Sequence, residues 1–189
     1  VMAGVQIAQA LQSIITRNKR PVDAAVISIT QFHAGETSNV IPDTAILGGT
    51  VRTFTLEVLD LIERRLNEIS NQVAGAFDCK ASIAFKRNYP PLINHEKETE
   101  FASKVMKELV GAERVNLRID PTMGAEDFAF MLLKKPGCYV FLGNGDGDHR
   151  IAGHGMGPCH LHNPSYDFND ALIPVGVNYW VRLAQTYLA

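Results

Sequence analysis

The sequence predicts an α/β protein in two parts. Apolar residues recur at spacings of three and four in long stretches, which is the mark of amphipathic helices, and alternation at spacing two fills the intervals between them. Tyr89-Pro90-Pro91 then punctuates the pattern near the middle of the 189 residues and divides it into 1–90 and 91–189.

Val1 to Thr16 reads as the middle of an amphipathic helix, with Val5, Ala8, Leu11, Ile14 and Ile15 on one side and no capping residue before it. It stops at Asn18-Lys19-Arg20-Pro21, where basic residues and a proline end a helix. Ala24 to Phe32 is rich in β-branched residues and alternates, as a strand does. Asp43 to Phe54 reads as a second strand, in which Gly48-Gly49 predicts a bulge or a close backbone approach. Thr55 is a good N-cap for a helix carrying Leu56, Leu59, Ile62, Leu66, Ile69, Val73 and Phe77. Cys79 to Arg87 alternates again, with Ala81, Ile83 and Phe85 on one face. The order α-β-β-α-β is a ferredoxin-like (split βαβ) unit lacking its first strand.

In the second part, Glu96 to Val110 predicts a helix with Phe101, Ala102, Val105, Met106 and Leu109 on its apolar face and Gly111 at its end. Val115 to Ile119 reads as a short strand, Glu126 to Leu133 as a short helix and Cys138 to Leu142 as a buried strand. A Gly-rich run and the stretch Cys159 to Asp170 follow. Asn169 or Asp170 then caps a last helix with the stripe Val177, Trp180, Val181, Ala184 and Leu188. Helix alternating with strand is the pattern of an α/β layer, where ligands sit at loops beyond strand ends.

Composition narrows the classes of function. Hydrophobic residues make up 46% and charged residues 20%, as in a globular protein with a real core. A net charge of -2 carries no footprint of a nucleic-acid or anionic-membrane partner. No apolar run approaches the roughly 18 residues of a membrane span. Cys79, Cys138 and Cys159 are odd in number and irregularly spaced, so they read as a reducing, cytoplasmic setting and not as a disulfide framework.

Residues suited to chemistry gather at three places. Cys159 to Asp170 packs His160, His162, Asp167 and Asp170 together, and imidazole with carboxylate suits a divalent metal of borderline hardness. A self-contained zinc site using Cys159, His160 and His162 with His149 or His154 lacks a paired CxxC spacing. The second place is Asn39-Val40-Ile41-Pro42 with Arg52, an amide and a guanidinium that can grip a carboxylate across a hairpin, with His33 just before the turn. Loop entry and a solvated strand face explain the same residues without a ligand. The third is Gly124-Ala125-Glu126-Asp127-Phe128, a glycine turn into a helix that offers N–H groups to an anion or merely carries favourable first-turn charges.

Taken in order, NVIPD, GTVRTF, MGAEDFAF and LHNPSYDFND resemble the metal-dependent amidohydrolases that include hippurate hydrolase, N-acyl-amino-acid amidohydrolases and aminoacylase, with carboxypeptidase G more distant. The resemblance runs from the first helix to Leu188. It implies a ferredoxin-like lid over 1–90, through which such enzymes commonly form homodimers, and the C-terminal part of an α/β zinc-exopeptidase-like catalytic domain over 91–189. By the same resemblance His162 matches the last metal ligand, Asn39 and Arg52 match lid residues that hold a substrate carboxylate, and Gly124, Ala125 and Glu126 match the turn lining the pocket. The implied cofactor is a divalent metal (Zn, Mn, Co or Ni), two per full-length subunit, and the implied substrate a small N-acyl amino acid. The family's upstream motif His-x-(Cys or Asp)-Gly-His-Asp and its Glu-Glu pair do not occur here. The expectation is therefore the C-terminal half of such an enzyme, with no general base, an incomplete metal site and no activity alone. A non-catalytic dimerisation module and a dipeptidase or carboxypeptidase are the rival expectations.

Overall fold

A computed structural model describes residues 1–145, 161, 164 and 166–189. They form two units, the first comprising residues 1–92 and 121–130 and the second 93–120 and 131–189.

The first unit is organised on two antiparallel strands, β1 (Ala25–His33) and β2 (Ile46–Thr53). Their register runs from Ala25 opposite Thr53 to His33 opposite Ile46, with an irregularity between Ile29 and Gln31 that faces Gly49 and Gly48. This is the bulge that the glycine pair predicts. Gly49 is sterically required there, because a Cβ would run into the Ser28 carbonyl.

Two helices cover the sheet, α1 (Met2–Ser13) and α2 (Leu56–Gly75). A single wide turn of π-helix, Ile14–Asn18, extends α1. Leu11 and Ile14 from this arm meet Val58, Ile62 and Ile69 of α2, and Ile27, Ile29 and Val51 of the sheet pack against that cluster. Thr55 caps α2 as its sequence predicts, its hydroxyl accepting from the Val58 N–H at 3.3 Å. Arg65 ties the two helices, donating to Asn18 Oδ1 at 3.0 Å and to Glu68 at 2.5 Å.

Cys79 to Arg87 departs from expectation. Ala81, Ile83 and Phe85 are half-buried and alternate with exposed neighbours, yet no ladder forms and the described sheet has two strands. Alternation needs only a covering layer on one face, whereas a strand needs a neighbour to exchange N–H and C=O bonds with. The end of the stretch is instead held to α2 by charge, Arg87 pairing with Asp60 at 2.7 Å and with Glu63.

In the second unit α3 (Glu96–Val110) forms with Glu96 and Glu98 in its first turn and ends at Gly111, whose φ of 90° favours glycine. Ala102, Ser103 and Val105 are its buried residues. The stretch 121–130, which belongs to the first unit, leads into α4 (Phe128–Leu132), and the Phe130 ring lies 5.9 Å from that of Tyr89. The last helix of the second unit, α5 (Ile173–Leu188), follows a 3-10 turn, Asp170–Leu172, that Asn169 caps through the Ala171 N–H at 3.2 Å.

The strands expected at 115–119 and 138–142 are absent among the described residues. Side chains do the pairing around Tyr139: Asn94 donates to its carbonyl and accepts from its N–H, both at 2.8 Å. The His95 ring Nδ1 likewise faces the Gly137 N–H at 3.2 Å. The stripe expected to be buried along α5 is also uncovered, with Val177 56%, Trp180 66% and Leu188 82% exposed. Its sequence is apolar at the right spacing, but no described residue packs it away. The outcome among the described residues is an α/β chain with one small antiparallel sheet.

Candidate substrate-carboxylate site

All six residues expected to contact a substrate, Asn39, Arg52, His33, Gly124, Ala125 and Glu126, fall within the first unit, although 71 residues separate Arg52 from the turn that begins at Met123. One long-range bond joins the two groups. Arg52, opposite Val26 near the end of β2, donates from Nη1 to the Met123 carbonyl at 2.6 Å.

The turn beyond Met123 is open. Gly124 and Ala125 are exposed, and a Cβ on Gly124 would meet only Thr122 Oγ1, at 3.9 Å. Glu126 has a local role that its sequence context left open: its Oε1 accepts from the Phe128 N–H at 3.2 Å, closing the start of α4. That bond occupies one donor which an incoming anion would need, and α4 is only five residues long. The anion-binding capacity of this part of the site therefore resides in Arg52 more than in the helix end.

His33 and Asn39 lie differently. His33 closes β1 opposite Ile46, and Arg52 is six positions further along β2, a separation of about 20 Å at strand rise. Asn39 is exposed in the connection 34–45, which rejoins the sheet at that same Ile46 end. The hairpin register thus puts Arg52 opposite Val26, at the other end of the sheet from His33, and the bond to Met123 is made from that end.

The metal residues are a separate matter. His162 lies outside the described residues, as do Cys159, His160, His149 and His154. Among the described residues no group of three or more His, Cys, Asp or Glu could hold a metal ion. The flanks of that stretch are nevertheless fastened together. Asn144 Nδ2 donates to the Asp167 carbonyl at 3.1 Å, and its Oδ1 accepts from the Asn169 N–H at 2.8 Å. This asparagine clasp was missed from sequence, as was Met123, because a backbone carbonyl or an amide tie across 25 residues has no local pattern.

Comparison with known proteins decides the family. Residues 4–186 match the family described as Peptidase family M20/M25/M40. The chain belongs to that family. Among curated M20 relatives, the hippurate hydrolase of Campylobacter jejuni is 36% identical over 179 residues, covering 95% of this chain and 44% of its own length. The N-acetyl-L-cysteine deacetylase of Bacillus subtilis is 32% identical over 176 residues, covering 92% of this chain and 38% of its own. An IAA-amino acid hydrolase of Arabidopsis thaliana, ILR1-like 6, is 33% identical over 183 residues, 94% of this chain and 38% of its own length. The crystal structure of the Bacillus subtilis YXEP protein, a dinuclear metal binding peptidase of the M20 family, superposes with a TM-score of 0.78 at 26% identity, over all of this chain and 45% of that one. The chain thus spans under half the length of the M20 relatives it matches.

Proposed function

We propose that this chain is the substrate-carboxylate-binding part of a metal-dependent amidohydrolase that cleaves the amide bond of N-acyl amino acids of the hippurate type. The observation that carries the reading is the placement of Arg52 against the open Met123–Ala125 turn, with no carboxylate partner among the described residues, in a member of the M20 family. Relatives named for hippurate, N-acetylcysteine and IAA-amino acids share one substrate feature, an acylated amino acid.

On this reading Arg52 holds the free carboxylate, Gly124 and Ala125 leave room for the acyl amide, and residues 1–90 form a lid that also makes a homodimer, in which Asn39, at the other end of the hairpin, would serve the site of a second copy. A divalent metal would supply the activated water when bound, and His162 is the residue of this chain that would ligate it. The general base lies elsewhere in the longer protein, so the chain alone is inactive. A peptidase acting on dipeptides is the nearer enzymatic rival, favoured by the structural relative described as a peptidase.

Incubating the purified chain with benzoylglycine and added Zn²⁺, Mn²⁺ or Co²⁺ is expected to release no glycine. Metal-dependent turnover by the chain alone would overturn its inactivity. Within the longer protein, Arg52→Ala is expected to raise KM for benzoylglycine by about 10- to 100-fold, the loss of one charge-assisted contact. An unchanged KM would remove Arg52 from the substrate.

A further inference from the structure

Arg52 differs from most arginines of the first unit and, like Arg17, forms no ion pair among the described residues. Arg20 pairs with Asp23, Arg64 and Arg65 with Glu68, and Arg87 with Asp60 and Glu63. The bond of Arg52 runs to a neutral carbonyl, Met123 O, at 2.6 Å, and no ion pair is formed by Arg52 among the described residues. A guanidinium has five N–H donors in one rigid plane. One bond to a carbonyl orients that plane and leaves donors for a second partner.

We propose that Arg52 is a positioning residue with two partners: it latches the Met123–Glu126 turn to β2, and a carboxylate bound on its remaining N–H groups tightens that latch. The coupling follows from side-chain entropy. Ordering a long arginine for one partner removes the freedom that weakens its bond to the other, so the two bindings reinforce each other. The identity of the carboxylate as substrate rests on the proposed function, whereas the latch in the ligand-free chain does not.

Hydrogen exchange on the whole chain tests both halves. The amides to follow are those of Phe128, Ala129 and Phe130, which are bonded to Glu126 Oε1, Glu126 O and Asp127 O respectively. Arg52→Ala is expected to speed their exchange about tenfold while α2 is unchanged. Arg52→Lys keeps a cationic donor group and is expected to lose less. Benzoylglycine should slow the same amides several-fold in the wild type and not in Arg52→Ala, and benzoylglycinamide, which lacks the carboxylate, should do nothing. Unchanged exchange in Arg52→Ala overturns the latch. Equal slowing by benzoylglycine in both proteins, or by the amide, overturns the coupling. If Arg52→Ala also loosens α2, Arg52→Lys decides: wild-type exchange at all three amides together with undiminished slowing by benzoylglycine overturns the proposal. No response of the wild type to benzoylglycine removes the coupling and the substrate reading together, and the ligand-free comparison still decides the latch.

Discussion

Tyr179, half-buried in α5, has its phenol pushed above the ordinary tyrosine range, chiefly by burial and secondarily by electrostatic interaction with the nearby Cys138. A raised folded-state value means that the folded chain keeps a proton which the unfolded chain has already lost. The resulting stability is fully present below the unfolded value near 10 and is lost as pH rises through the folded value. Thermal unfolding between about pH 9 and 12 should therefore fall less steeply in Tyr179→Phe than in the wild type. Parallel curves would dismiss Tyr179 as the cause. The carboxyls of Asp23 and Glu68 move the other way, held low first by hydrogen bonds from Arg20 and Arg65. Glu68 is half-exposed and Asp23 less so, but the partner of Asp23, Arg20, is open to solvent, which screens the pair and keeps the acid-side contribution small. Thr55 offers a cleaner residue test. Its cap on α2 is worth about 1 kcal/mol, so Thr55→Ala should lower the melting temperature by about 2–4 °C.

Helices were legible in the sequence because a helix satisfies its own backbone. The stripe of α2 with its Thr55 cap, and the acidic start of α3, each lie within a single continuous segment. Strands are a relation between two segments, and that is why β1 and β2, joined by one connection, were readable while Cys79 to Arg87 and Cys138 to Leu142 were not. The alternation at Ala81, Ile83 and Phe85 reported burial correctly and pairing incorrectly. The bulge is the exception that sequence could reach, since Gly48-Gly49 is a local signal. Gly49→Val should cost about 1–3 kcal/mol, because the added atoms meet backbone at Ser28 and not a side chain that can move. A urea midpoint equal to that of the wild type would contradict this.

At the scale of the whole molecule, the division into two units gathers the carboxylate-binding candidates but leaves the metal residue on a stretch outside the described residues. Arg52 and the 123–126 turn were each readable as motifs. Their meeting was not, because sequence carries no record of a bond across 71 residues. The α5 stripe has the opposite history, a correct apolar pattern with no described layer over it. Trp180 is the one tryptophan of the chain and is 66% exposed. Acrylamide should quench its fluorescence nearly as well in the folded chain as in urea. Strong shielding that deepens with protein concentration would instead show copies meeting on this face.

The Asn144–Asn169 clasp has a consequence for how the protein can vary. Two residues 25 apart are held by amide and backbone hydrogen bonds. Asn169 in turn uses its own side-chain oxygen to accept from the Ala171 N–H at the 3-10 turn before α5. Position 144 is thereby tied to the start of a helix more than two dozen residues further on, and a substitution there is felt at α5 through Asn169.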